Sequence, residues 1–281
     1  AELIAAAGLE KSDIDGACVS SFTLTPDSTI GLMQYLGMSP RWLDSINLGG
    51  ACAAIALRRA ARAVQAGDAT VVACVAGDTN HVYSFRDNVS NFSQFARDAV
   101  YPYGSAGPNG SFAFLTDHYM RTYGATREDF GKLCIAQREN ALHFPHALMK
   151  RPLTMEQYLN ARPIADPLRL FDCVMPCAGG EGFLVMARDD AEARGLPYAR
   201  LLGSIERHNA YPDDPIQMRG GWAMDIDDLY GMADIAPSDV DLLQTYDDYP
   251  VISMMQIEDL GFCGKGEGPE FVRDNTFTLD G

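Results

Sequence analysis

The chain is poor in positive charge. Its 281 residues carry 22 Lys and Arg against 38 Asp and Glu, a formal net charge of −16. Binding along a nucleic-acid backbone needs clustered cations, so nucleic acid is excluded as a main partner. A small anion held by backbone N–H groups or a few local cations is not excluded. Long apolar runs are also missing, and no membrane-spanning helix is expected. Closely paired cysteines are scarce. Seven cysteines lie at 18, 52, 74, 134, 173, 177 and 263, an odd and scattered set that predicts reduced thiols in a cytoplasmic protein. Cys173 and Cys177 have a helical metal-ligand spacing, but Pro176 and the glycines after Cys177 argue against a helix there. No second Cys/His pair completes a tetrahedral site, so no metal is expected. No signal peptide is read at the start. Ala1 falls inside a helix-like pattern and the chain stops at "FTLDG", so both ends look cut and the native protein is expected to be longer.

The residues present suffice for a sizeable core, with 47% hydrophobic. Helical and strand patterns alternate, the mark of an α/β fold. "GACVSSF" reads as a strand, "TIGLMQYLG" as a short helix, and "WLDSINL" as the lead into a strand. Residues 50–66 form an alanine-rich helix, expected to be buried, which Gly67 and Asp68 stop. "ATVVACVAG" is apolar almost throughout, as in a central strand covered on both sides. The pattern then changes. Residues 80–175 are loop-rich and aromatic, with helices near 111–123 and 126–142 and a proline-punctuated stretch ending at "CAGG". Such loops inside a compact chain signal function or an inserted subdomain. "EGFLVMA" returns to strand. A second α/β half is expected from 198, with "YARLLGSIERH" and "DLLQTY" as strands and a helix from Pro250.

"GLEKSDIDGACVSS" at 8–21 is echoed by "DIAPSDVDLLQTYD" at 234–247, where Ser12, Asp13 and Asp15 match Ser238, Asp239 and Asp241 at one offset. Either this is a common helix-to-strand turn or the chain contains a duplicated α/β unit. The matching element order on both sides favours duplication.

Four stretches resemble the thiolase superfamily. "GGACAAIALRRAARAVQAGDATVVACVAGD" resembles its buried active-site helix and next strand. "YGATREDFGKLCIAQRENALHFPHALM" resembles a loop-domain helix, and "ADPLRLFDCVMPCAGGEGFLVM" the return from that domain. "DVDLLQTYDDYPVISMMQIEDLGFCGKGEG" resembles the second half's catalytic turn and is the most specific. It resembles the sterol-carrier-protein thiolase branch, and within it the steroid side-chain-cleaving aldolases. The resemblance implies a thiolase-like fold of helix, sheet and helix layers. It places an N-terminal half at 1–80, a loop subdomain at 81–178, a return strand and helix at 179–197, and an incomplete C-terminal half at 198–281. It implies an enzyme that makes or breaks a carbon–carbon bond beside an acyl-CoA thioester. CoA would arrive with the substrate, and no further cofactor is expected. It also implies a homodimer built through the strand after the buried helix, and a small OB-fold, acyl-CoA-binding partner subunit.

In true thiolases a cysteine opens the buried helix, where N–H groups and the dipole favour a thiolate. A gapless alignment anchored on Gly67 puts that position on Gly50. Cys52 lies two residues on, about 200° round the helix. Matching "GACA" to a thiolase-like "NACA" instead would make Cys52 the nucleophile but shorten a packed helix by half a turn. Cys52 therefore reads either as nucleophile or as a small buried hydrophobe. With Gly50 in place, the N–H groups of Gly49, Gly50 and Ala51 remain for an oxyanion, which suits aldol-type cleavage without an acyl-enzyme. In "TYDDY", Tyr246 stands where related thiolases have Asn or His. It is the expected acid/base, with Asp247 as orienter or base and Asp248 as helix cap; the alternative is a core tyrosine at a strand end. The resemblance assigns Gly179 and Gly180 to backbone approach to the substrate. His208 reads as a surface or core histidine rather than a catalyst, and Lys265, in a glycine-rich turn, either as a solvated side chain or as one that meets CoA or a partner. Three functions remain: an aldolase-type lyase, an acetyl-CoA acyltransferase using Cys52, and a catalytically silent subunit. A large hydrophobic acyl group, such as a sterol side chain, and a small aromatic one fit the sequence equally.

Overall fold

The structure is a computed structural model and describes residues 2–79, 87, 97–105 and 107–279. Most of the aromatic loop stretch "DNVSNFSQFA" lies outside the described residues. The chain divides into two compact units, one of Ala1–Phe85 with Pro176–Ser204, the other of Arg86–Met175 with Ile205–Gly281.

The first unit is built on a sheet of β1 (Gly16–Ser20), β2 (Trp42–Ser45), β3 (Val71–Thr79) and β4 (Ala178–Met186), in the order β2-β1-β3-β4. β1 runs parallel to β2 and β3, whereas β4 is antiparallel to β3 along nine pairs, from Val71↔Met186 to Thr79↔Ala178. The apolar run Val71–Cys74 is buried, as an interior strand requires. β3 is therefore paired on both edges within this sheet. Helix α1 (Glu2–Ala6) leads in, and α2 (Thr29–Leu36) starts on Ser28, whose side chain accepts from Gly31 N–H. Helix α3 (Cys52–Ala66) connects β2 to β3. It ends on Gly67 at φ 78°, whose N–H bonds Ala63 and Val64 carbonyls. Cys52, Ile55, Ala56, Ala60 and Ala63 form its buried stripe. The helix is thus covered on one face in this unit, with Arg58, Arg59 and Arg62 off the stripe, rather than buried all round. Alanine is small enough to sit on either face, so composition did not distinguish the two.

The second unit is mainly helical, with one short antiparallel pair, Pro163–Ala165 against Leu168–Arg169. Helices α4 (Pro108–Tyr123), α5 (Arg127–Leu142), α6 (Trp222–Ala233), α7 (Pro250–Asp259) and α8 (Gly268–Asp274) belong to it. All ten residues of α7 are buried. Its apolar side chains meet Tyr119, Phe130, Leu133, Tyr158 and Val272 in one core. The acids at its end are paired. Glu258 accepts from the Tyr119 hydroxyl and from Gly266 and Gly268 N–H, and Lys265 sits 2.9 Å away. Asp259 accepts from Gly220 N–H at 2.7 Å and pairs with Lys265 at 2.6 Å. Unpaired buried charges would be costly, which explains the convergence on Lys265. That lysine is a structural ion-pair partner rather than a solvated surface group. At the start of α5, Thr126 and Asp129 form a capping box, and Arg273 clamps Asp129 at 2.6 and 2.7 Å.

The internal echo is present as local structure. Lys11–Asp13 and Pro237–Asp239 are both single 3₁₀ turns. In each, the last aspartate accepts from the N–H three residues earlier, at 2.8 Å. The element that follows differs. β1 follows the first turn, but "DLLQTY" is irregular, as is "YARLLGSIERH". Neither expected strand forms, because neither segment meets a neighbouring strand among the described residues to complete its hydrogen bonds.

Glycines set the close spacing of β3 and β4. A Cβ on Gly182 would lie 2.9 Å from the Cys74 carbonyl oxygen, and one on Gly179 would meet nothing within 4 Å. Gly182→Ala is expected to destabilise the protein by about 1–3 kcal/mol in guanidinium unfolding, while Gly179→Ala is near neutral. Equal effects would contradict the close approach.

Candidate active site

The segment "NLGGAC" forms an elbow. Gly49 takes φ +63°, a conformation open to glycine and strained for most other residues. Gly49–Ala51 make one 3₁₀ turn, and α3 opens at Cys52. By position, the N–H groups of Gly49, Gly50 and Ala51 have no intrahelical acceptor, and the helix dipole adds partial positive charge there. Gly49 is half-buried, and Gly50 and Ala51 are exposed. Cys52 is buried, 6% exposed, beside Cys18, Ile46, Ile55 and Cys74. Its sulfur accepts from Leu48 N–H at 3.2 Å and its thiol donates to the Ile46 carbonyl at 3.7 Å. The thiol therefore braces the elbow from inside.

Gly179 and Gly180 begin β4 opposite Asp78 and Gly77, at the C-terminal end of β3. Since α3 runs back from β2 to the start of β3, the elbow and the glycine pair share one end of the sheet. Asp78, which the sequence reading missed, anchors this end. One of its oxygens accepts from Ser21 Oγ, Phe22 N–H, Thr23 N–H and Thr23 Oγ1 at 2.8–3.0 Å.

The "TYDDY" turn belongs to the second unit. Gln256 of α7 grips Tyr246 at two points, its Oε1 accepting the backbone N–H at 3.1 Å and its Nε2 donating to the carbonyl at 2.7 Å. Thr245 and Ser253 hydroxyls bond at 2.9 Å. Tyr246 projects its ring outward, 44% exposed. Tyr249 turns inward, donates to Asn109 Oδ1 at 2.6 Å and stacks on Phe112. Asp248 does not cap α7. That helix has Tyr249 at its N-cap position, with no side-chain cap, and Pro250 at its first position, where the missing N–H would have had no intrahelical partner.

Asp247 faces a cleft of about 200 Å³ lined by Cys134, Phe171, Asp172, Cys173 and Pro250 among others. Partial burial desolvates its carboxyl group and raises its pKa. Burial also raises Asp248. A hydrogen bond with Tyr246 opposes that rise, and the charge of Asp247 adds to it. Asp172 is fully committed to Arg127 at 2.7 Å, Arg169 N–H at 2.7 Å and the Tyr158 hydroxyl. Cys173 is pushed up to about 11, first by burial and then by Asp172 and Asp248, so it is a thiol rather than a thiolate. No sequence spacing pointed to Gln256, Cys134, Asp172 or Cys173 as neighbours of this turn. Elsewhere, His208 bonds Glu206 at 2.8 Å on the surface. Among the described residues, no three potential metal ligands converge and no helix is long and apolar enough to cross a membrane.

Residues 222–281 match the family model described as Thiolase C-terminal domain-like. A steroid side-chain-cleaving aldolase of Thermomonospora curvata is 31% identical over 99% of this chain and 75% of that protein. The chain belongs to the thiolase superfamily. Within that superfamily it stands on the branch similar to sterol-carrier-protein thiolases. A 17-hydroxy-3-oxo-4-pregnene-20-carboxyl-CoA lyase of Mycobacterium tuberculosis is 29% identical over all of this chain and 76% of its own length. An Ltp2–ChsH2(DUF35) aldolase structure matches with a TM-score of 0.80 and 31% identity, covering 97% of this chain and 72% of that one. The thiolase-like α/β fold follows from these matches, with its sheet flanked by helices.

Asp247 and Asp248 give this superfamily member a testable pH signature. Their native pKa values lie above the unfolded values, so the folded protein binds more protons and loses stability as pH rises through the carboxylate range. Asp247→Asn and Asp248→Asn should raise Tm at pH 7, with the gain shrinking as pH falls toward about 4. A gain that grew on acidification would contradict the assigned direction.

Proposed function

We propose that the protein cleaves, and in reverse forms, a carbon–carbon bond beside a CoA thioester by an aldol-type step without an acyl-enzyme. The observation that carries this reading is the clamped turn that holds the exposed Tyr246, hydrogen-bonded to Asp248, and beside them in the chain Asp247, whose pKa desolvation raises. The relatives named as an aldolase and a CoA lyase support the same chemistry. Asp247 accepts the phenol proton of Tyr246 as the phenolate oxygen takes the proton of the β-hydroxyl. The Cα–Cβ bond breaks and its electron pair passes into the thioester carbonyl, giving an enolate. The β-carbon leaves as a ketone or aldehyde, and a proton returned to Cα releases the shortened acyl-CoA. Gly49, Gly50 and Ala51 N–H groups are assigned to the enolate oxygen. Gly179 and Gly180 are assigned to close backbone approach. CoA comes with the substrate, and the step needs no further cofactor.

A second reading, acetyl-CoA acyltransfer through Cys52, draws on the position of that thiol at the first residue of α3. It requires the sulfur to leave its bonds with Leu48 and Ile46. The proposal includes a homodimer and a small OB-fold, acyl-CoA-binding partner. The matched structure, an Ltp2–ChsH2(DUF35) aldolase, supports a partner subunit. Seven free cysteines support a cytoplasmic setting.

Incubation of the protein with β-hydroxyacyl-CoA and β-ketoacyl-CoA substrates separates these readings. Tyr246→Phe should lower kcat for hydroxy-substrate cleavage by about 10²–10⁴, and Cys52→Ala should leave it within an order of magnitude. Cleavage of the keto substrate alone, abolished by Cys52→Ala, would establish the acyltransferase instead. Unchanged activity of the assembled complex with Tyr246→Phe would establish a silent subunit.

A further inference from the structure

Tyr246 lies in no strand, yet its backbone is paired as a strand residue's would be. Gln256 supplies both bonds. It is 8% exposed and sits on α7, a helix buried along its whole length. Its Oε1 accepts Tyr246 N–H at 3.1 Å, and its Nε2 donates to the Tyr246 carbonyl at 2.7 Å. A neighbouring antiparallel strand makes the same two bonds to one residue. Nε2 also donates to the Ile252 carbonyl, one turn back on α7, at 3.1 Å. Both amide hydrogens are therefore used. A reversed amide would set N–H against N–H and oxygen against two carbonyls, so one orientation alone satisfies the site.

The N–H and the carbonyl of Tyr246 belong to the peptide planes on either side of its Cα. Holding both fixes φ and ψ there, and with them the direction of the Cα–Cβ bond. Two side-chain torsions then remain before the ring. The hydroxyl end is bonded to Asp248. The ring is 44% exposed, so burial in a core does not place it. We propose that Gln256 is a positioning residue for the reaction: it substitutes for a sheet neighbour at one residue and so sets where the Tyr246 phenol meets substrate. The inference rests on Tyr246 being the reacting phenol, as proposed above. Gln256 acts through Tyr246 and needs no contact with substrate, so its loss falls on the chemical step rather than on binding.

Two variants and one exchange measurement test this. Gln256→Met keeps the length and removes both polar groups. Gln256→Asn keeps the amide and withdraws it by one methylene. Each should lower kcat for β-hydroxyacyl-CoA cleavage by about 10²-fold, with KM changed by less than about threefold. Amide hydrogen exchange reads the clamp without turnover. In the wild type the Tyr246 amide should exchange at least roughly tenfold more slowly than a free loop amide. In both variants that protection should vanish while the amides of α7 stay protected, which also shows that the variants fold. A wild-type Tyr246 amide that exchanges like a free loop amide would overturn the inference whether or not the variants fold. Folded variants with wild-type kcat, or with the loss confined to KM, would overturn it too. Full cleavage by Tyr246→Phe, beside a protected wild-type Tyr246 amide, would defeat the aldolase reading and leave the clamp standing.

Discussion

The candidate chemistry depends on one side-chain amide. Gln256 sits on a helix buried along its whole length and holds both backbone groups of Tyr246. A loop residue with an exposed ring would otherwise sample many conformations, and ordering it carries an entropic cost. Here a rigid helix carries that cost, because α7 is locked by its core contacts and by the Glu258 and Asp259 networks at its end. The phenol is placed by packing some distance from it, the usual requirement for a group that must meet substrate in one geometry.

The same unit treats its acids in two ways. Asp129, Asp172, Glu258 and Asp259 each have a cation and N–H or O–H donors, which offset their burial. Among the described residues Asp247 and Asp248 have no such cation, and both are desolvated. A pair kept at a stability cost next to a cleft is the pattern expected of working groups, since paired carboxylates would be poor bases. Cys52 is a thiol in the other unit. It ties the glycine elbow to the core through Leu48 and Ile46.

Much of the fold was legible because periodicity and punctuation agree with the outcome. The Val71–Cys74 run is an interior strand, and Gly67 ends its helix in the left-handed conformation. The S-D-x-D echo is a repeated turn with the same aspartate capping bond. The two strand readings at 198–208 and 241–246 failed for one reason. Alternating or apolar residues favour extension, but a strand exists only where a neighbour supplies the other half of its hydrogen bonds.

By itself the sequence determined the local events: where helices begin and stop, which turn needs glycine, and that a tyrosine and two aspartates adjoin a helix opened by proline. These depend on neighbours within a few residues, so they can be read along the chain. The tertiary structure alone decided that Gln256 clamps Tyr246, that Cys134, Phe171 and Cys173 wall the cleft at Asp247, and that Asp172 is neutralised while Asp247 is not. Desolvation and through-space charge depend on atoms brought together from distant parts of the chain, and no spacing in a linear sequence records that distance.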